Sequence, residues 1–90
     1  MISAPYPNPV VGEEVVRVNL SSTCPIQVAW RVVSVANRKL AGGSLQVSGL
    51  TPWSWDLRDQ AGKRASNGLY YLVFMPEGQP QQIQKVLILR

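Results

Sequence analysis

The chain has 90 residues, 46% of them hydrophobic and 16% charged, with nine bases against five acids for a net charge of +4. That length supports one domain, residues 1–90, because a second would leave neither half enough chain to bury a core. The composition excludes a disordered chain, no apolar run is long enough to insert in a membrane, and the opening "MISAPYPNP" lacks the pattern of a signal peptide.

After the proline-rich "APYPNP", Val16, Val18 and Leu20 alternate with Val15, Arg17 and Asn19, which predicts a strand with one buried face. Ile26 to Val35 repeats the pattern, with Ile26, Val28, Trp30 and Val32 on a common face. Cys24-Pro25 separates the two segments, and Cys24 reads as a small packing residue at the start of the second. "VANRKL" then places Asn37, which tolerates positive φ, at a hairpin tip.

Gly42-Gly43 punctuates before a short strand at Ser44 to Val47, and Trp53, Trp55 and Leu57 mark the next one-sided strand. Asn67-Gly68 reads as a hairpin turn of type I′. In Leu69 to Met75, Tyr70, Leu72 and Phe74 share one face and Tyr71, Val73 and Met75 the other. "PEGQPQQ" is a turn, and Ile83 to Leu89, apolar on both faces, reads as a central or well-covered strand. Six or seven short strands with turn chemistry between them, and no helical periodicity, predict an all-β chain. The expected architecture is an immunoglobulin-like β-sandwich of about seven antiparallel strands. An edge left open, for instance by Val15–Leu20, would offer a place for a partner strand.

The stretch "WSWDLRDQAGKRASNGLYYLVF" at 53–74 concentrates carboxylates, aromatics and glycines. An EF-hand needs oxygen ligands at its first, third and fifth positions and a closing glutamate at the twelfth. Counted from Asp56, Arg58 adds positive charge and Asn67 stands at the twelfth place, so that geometry fails. Asp56 and Asp59 bracket a turn, which offers no deep cleft for the paired carboxylates of a glycosidase. With no histidine and a single cysteine, the Ser-His-Asp and Cys-His arrangements and the multi-cysteine zinc patterns are excluded. We therefore expect no catalytic residue, no metal and no cofactor, and hence no enzyme.

The bases stand singly except for Arg38-Lys39 and Lys63-Arg64, which does not suggest a nucleic-acid face. The preferred reading of the stretch is two capped turns. Asp56 and Asp59 accept from backbone N–H groups, Gly62 supplies positive φ, and Tyr70 buries its ring while its hydroxyl finds a backbone acceptor. Trp30, Trp55, Tyr70 and Phe74 are expected in the core and Trp53 partly exposed. A sugar-binding sandwich that stacks its ligand on Trp53 and Tyr71, with Asp59 nearby, is the alternative.

"YPNP" (6–9), "VAWRVVSVANRKL" (28–40), "WDLRDQAGKRASNGLYYLVF" (55–74) and "QKVLILR" (84–90) together resemble the FlgD-type immunoglobulin-like domain. It looks like the version found at the C-termini of large secreted or surface proteins of bacteria, similar in pattern to the sorting domains read by type IX secretion. The best-matched residues are Trp55, Asp56, Asp59, Gly62, Gly68 and Tyr70. Leu57 departs from the family, which usually has glycine there, as do Ser34 for aspartate and Asn37 for glycine. Asn37 keeps access to positive φ, whereas Leu57 implies a looser turn with a more ordinary backbone.

The resemblance implies a non-catalytic C-terminal module of a larger secreted or cell-surface protein. Such a module serves export, sorting, anchoring or assembly through protein–protein contacts. Its partners would be domains of the parent chain and secretion or assembly machinery, with no nucleic acid and no membrane insertion.

Overall fold

A computed structural model of the chain describes residues 2–12 and 15–89; Met1, Glu13, Glu14 and Arg90, the last of them one of the single bases, lie outside the described residues. The described residues contain four strands and no helix: β1 (Val16–Ser34), β2 (Lys39–Trp55), β3 (Gly68–Pro76) and β4 (Gln82–Ile88). They form one antiparallel sheet in the order β2-β1-β3-β4. The sheet has four strands and not about seven: of the six segments named from the sequence, the first four are halves of two long strands. Cys24-Pro25 and Gly42-Gly43 lie inside β1 and β2 instead of between strands.

Those two strands are folded double. Straight, the 19 residues of β1 would reach about 60 Å, yet the longest dimension of the molecule is 37 Å. The fold line sits where the pairing shifts: Ser22 faces Gly49 and Ile26 faces Val47, so residues 23–25 of β1 oppose one residue of β2. An unequal count of this kind bends a ribbon. Pro25, which has no N–H to give a ladder, falls within the irregular stretch. Local hydroxyls take over the backbone groups: Ser22 Oγ donates to Cys24 O (2.6 Å), and the Ser48 N–H donates to Thr51 Oγ1 (3.2 Å).

One layer thus holds residues 16–22 and 49–55, and the other holds 26–34, 39–47, β3 and β4, an arrangement consistent with a β-sandwich. The inward faces follow the expected alternation. Val16, Val18, Leu20, Val28 and Val32 are buried from β1, and Tyr70, Leu72 and Phe74 from β3. Across the layers, Trp53 meets Phe74 edge to face (centroids 5.0 Å apart, planes at 85°) and Trp30 likewise (5.2 Å, 70°). Each such pair contributes about 1 kcal/mol beyond its buried area. Gly43 stands opposite Trp30 in the ladder and leaves the indole room, since a Cβ there would lie 3.1 Å from the ring.

The segment before β1 works as a strap over two sheet edges. Ser3 N–H donates to Asn19 O (2.9 Å), and Tyr6 and Arg17 exchange backbone hydrogen bonds (2.9 and 2.8 Å), so the 16–20 edge is covered and not open as expected. The strap then crosses to β4. The Asn8 amide donates to Lys85 O and accepts from Leu87 N–H (both 3.1 Å), and Val10 bonds Leu87 O (2.7 Å) and Leu89 N–H (2.8 Å). β4 is consequently the last strand of the sheet and not a central one, with Ile83 and Leu89 half-exposed. In β3, Val73 is buried on the face opposite the core, flanked in register by Arg31 and Ile83, while Leu69, Tyr71 and Met75 on that face are half-buried.

Candidate functional site

The turn that follows β2 is built almost entirely from its own hydrogen bonds. Asp56 Oδ1 accepts from the Arg58 N–H (3.1 Å), and Asp59 Oδ1 accepts from the N–H groups of Ala61 and Lys63 (2.9 Å each). Gly62, at φ 84°, closes the loop by donating to Asp59 O (3.0 Å), and the Asp59 N–H donates to Lys63 O (2.8 Å). The Arg58 guanidinium reaches back to Gly62 O (2.9 Å). Both carboxylates therefore serve as local backbone acceptors, the ordinary use of aspartate in turns.

This loop is braced at three points, two of them on the body. The Trp55 indole N–H donates to Arg58 O (2.9 Å), the Ala65 N–H to Leu57 O (2.7 Å), and the Gln60 N–H to Leu40 O (2.9 Å). The last of these ties the loop after β2 to the start of β2, which only the doubling of the ribbon makes possible. Trp55 packs edge to face on Tyr70 (5.7 Å, 60°), and the Tyr70 hydroxyl donates to Ser66 O (2.7 Å), four residues upstream. A buried tyrosine whose hydroxyl returns to the backbone fixes a corner of this kind.

Leu57 differs from expectation. Its backbone is not ordinary: it takes φ 61°, the left-handed region, while its side chain is completely buried. That conformation costs an L-residue about 1–2 kcal/mol, and burial of the leucine side chain offsets it. Asn37 takes φ 65° at the β1–β2 tip, as its residue type predicts. Gly68 opens β3, whose partners are β1 and β4, so Asn67-Gly68 does not turn a type I′ hairpin.

The predicted residues thus form two groups. Trp55, Asp56, Asp59, Gly62, Gly68 and Tyr70 gather at or beside one end of the sandwich, around the loop at 56–67. Trp53 and Tyr71 do not form a stacking platform. Trp53 is 6% exposed and faces the core, while Tyr71 lies on the opposite face of β3, half-buried. Trp30, not Trp53, is the partly exposed tryptophan, because it lies against Gly43 near the sheet's edge strand. Cys24 is exposed at the fold line and is not part of the buried core.

Two open grooves flank this frame. One, about 430 Å³, lies at the fold line, with an apolar floor including Leu20, Ile26 and Val47 and a rim of Ser22, Thr23 and Gln79. The other, about 540 Å³, lies at the turn end between the β1–β2 tip and the loop after β2. Its lining includes Arg38 and Lys39 from the β1–β2 tip and Lys63 and Arg64 from the loop. Both basic pairs are visible in the sequence, but no local pattern brings them together. Among the described residues no three His, Cys, Asp or Glu side chains gather where a metal could be held.

No protein-family model matches the sequence, and no curated protein matches it. Two solved structures share the fold over nearly the whole chain. PorZ, described as an essential bacterial surface component of the type-IX secretion system of Porphyromonas gingivalis, superposes with a TM-score of 0.72 at 20% identity over 96% of this chain. Dimeric latent PorU from the same bacterium superposes with a TM-score of 0.74 at 16% identity over 94% of this chain. The chain spans only 11% and 9% of the length of those two proteins.

Proposed function

We propose that this chain is a FlgD-type immunoglobulin-like module that acts as a non-catalytic accessory part of a larger exported bacterial protein. It serves sorting, anchoring or assembly at the cell surface through protein–protein contacts. The observation that carries this reading is the pairing of scale with shape: a fold nearly as long as the chain recurs as about a tenth of two much larger proteins, one of them a surface component of a secretion system. The turn chemistry agrees with it. The carboxylates that could have formed an active site are occupied in holding the loop, and the chain has no histidine to act as a general base.

The test is an export assay. A reporter protein carrying this chain at its C-terminus, preceded by a signal peptide, is expressed in a bacterium with type IX secretion and in a strain lacking that system. Reporter at the cell surface or in the medium of the first strain only is the expected result. Equal retention in both strains, with the fusion folded and intact, would overturn the reading.

A further inference from the structure

Nine bases are spread along the sequence, and the fold converts their two adjacent pairs into one feature. Arg38-Lys39 at the β1–β2 tip and Lys63-Arg64 on the loop after β2 all line the groove at the turn end. Asp59 is the only carboxylate among the groove's residues, and two backbone N–H groups already occupy its Oδ1. Four bases against one carboxylate leave a local surplus of three positive charges, most of the chain's net +4. Among the described residues, none of the four basic side chains has a hydrogen-bonding or ionic partner. A concave site lined by one sign of charge focuses the field and gathers counter-ions.

From this charge complementarity we propose that the groove docks an acidic, extended polypeptide segment of a partner protein, held by carboxylates on Arg38, Lys39, Lys63 and Arg64. The rest of the lining favours a polypeptide over a nucleic acid. Single-stranded nucleic acids need exposed aromatic faces to stack on, and the groove's one aromatic, Tyr70, is buried with its hydroxyl bonded to Ser66 O. Ser34, Ser66 and Gln60 supply short polar groups suited to peptide N–H and C=O. Ala36 and Leu40, also in the lining, offer apolar contact to a side chain of the segment. The proposal deepens the module reading by naming its partner's chemistry. It rests on that reading for biological context alone, since binding is measurable on the isolated chain.

The probe is a fluorescein-labelled decapeptide of alternating glutamate and serine, titrated with the 90-residue chain and followed by fluorescence anisotropy at low and high salt. Binding that weakens with salt is expected. It should fall roughly tenfold or more in the double variant Lys63→Glu/Arg64→Glu. Arg38→Ser/Lys39→Ser, on the other chain segment that lines the groove, should weaken it in the same direction, so one poorly folded variant does not decide the matter.

The charge-matched control Arg17→Glu/Lys85→Glu, on exposed strand positions away from the groove, should leave binding nearly unchanged. The proposal is overturned by absence of binding at low salt or by equal loss in groove and control variants. It is also overturned if an oligothymidine strand or anionic vesicles bind more tightly than the peptide. The export assay separates the two conclusions. A wild-type chain that binds the peptide but directs no export sinks the function reading alone, whereas export without peptide binding sinks the groove alone.

Discussion

Leu57 combines a penalty and a gain at one residue, and substitution separates them. Its φ of 61° costs about 1–2 kcal/mol in any L-residue, while its side chain, fully buried, is worth about 2–5 kcal/mol against alanine. Leu20, also buried but in regular β1, serves as the reference. At Leu20, glycine should be less stable than alanine by about 1.5 kcal/mol, from the lost methyl and the freer unfolded backbone. At Leu57 the same two terms act, but glycine also escapes the left-handed strain that alanine retains, so the alanine–glycine difference should shrink to about zero. Urea unfolding of Leu57→Ala, Leu57→Gly, Leu20→Ala and Leu20→Gly, followed by tryptophan fluorescence, measures both differences. A domain of this size has about 5–13 kcal/mol to lose, and 1 kcal/mol moves its Tm by about 4–8 °C. Equal alanine–glycine differences at the two positions would refute the argument that Leu57 is strained.

Two more outcomes follow from the frame. Gly43→Ala puts a Cβ 3.1 Å from the Trp30 ring, so we expect a loss of about 1 kcal/mol in urea unfolding and a shift in tryptophan emission; an unchanged midpoint and spectrum would show that the indole moves aside freely. Asn8→Ala removes both hydrogen bonds of the side-chain amide to β4 and should cost about 1–2 kcal/mol. Amide hydrogen exchange at Leu87 should speed up while that at Leu72 does not, and unaltered exchange at Leu87 would count against the strap.

The short-range features were legible in the sequence. Period-two burial in Val16, Val18 and Leu20, positive φ at Asn37, the capping by Asp56 and Asp59 and the returning hydroxyl of Tyr70 each depend on neighbours a few residues away. What was not legible depends on pairing between distant segments. Cys24-Pro25 looks like a boundary because proline cannot serve a ladder, yet the chain passes through it in a bend whose partner lies at 47–49. The exchange of roles between Trp30 and Trp53 follows from that bend, which turns Trp53 toward Phe74. The positive φ of Leu57 is not legible locally, because a preference of glycine for such conformers leaves out what a buried side chain can offset. The basic groove needed both ends of β2 to meet, which no local pattern announces.

The strap has a mechanical side. Its bonds lie in series along the chain: Ser3 to Asn19, Tyr6 with Arg17, Asn8 to Lys85 and Leu87, then Val10 to Leu87 and Leu89. A pull applied at Ile2 would open them one after another, like a zipper, while Trp53, Phe74 and Tyr70 stayed packed. Tension of that kind would strip first the 16–20 edge and then the β4 edge, leaving an otherwise folded domain with two newly bare strands. The force on the chain, and not its sequence alone, would then set how many sheet edges it presents to its surroundings.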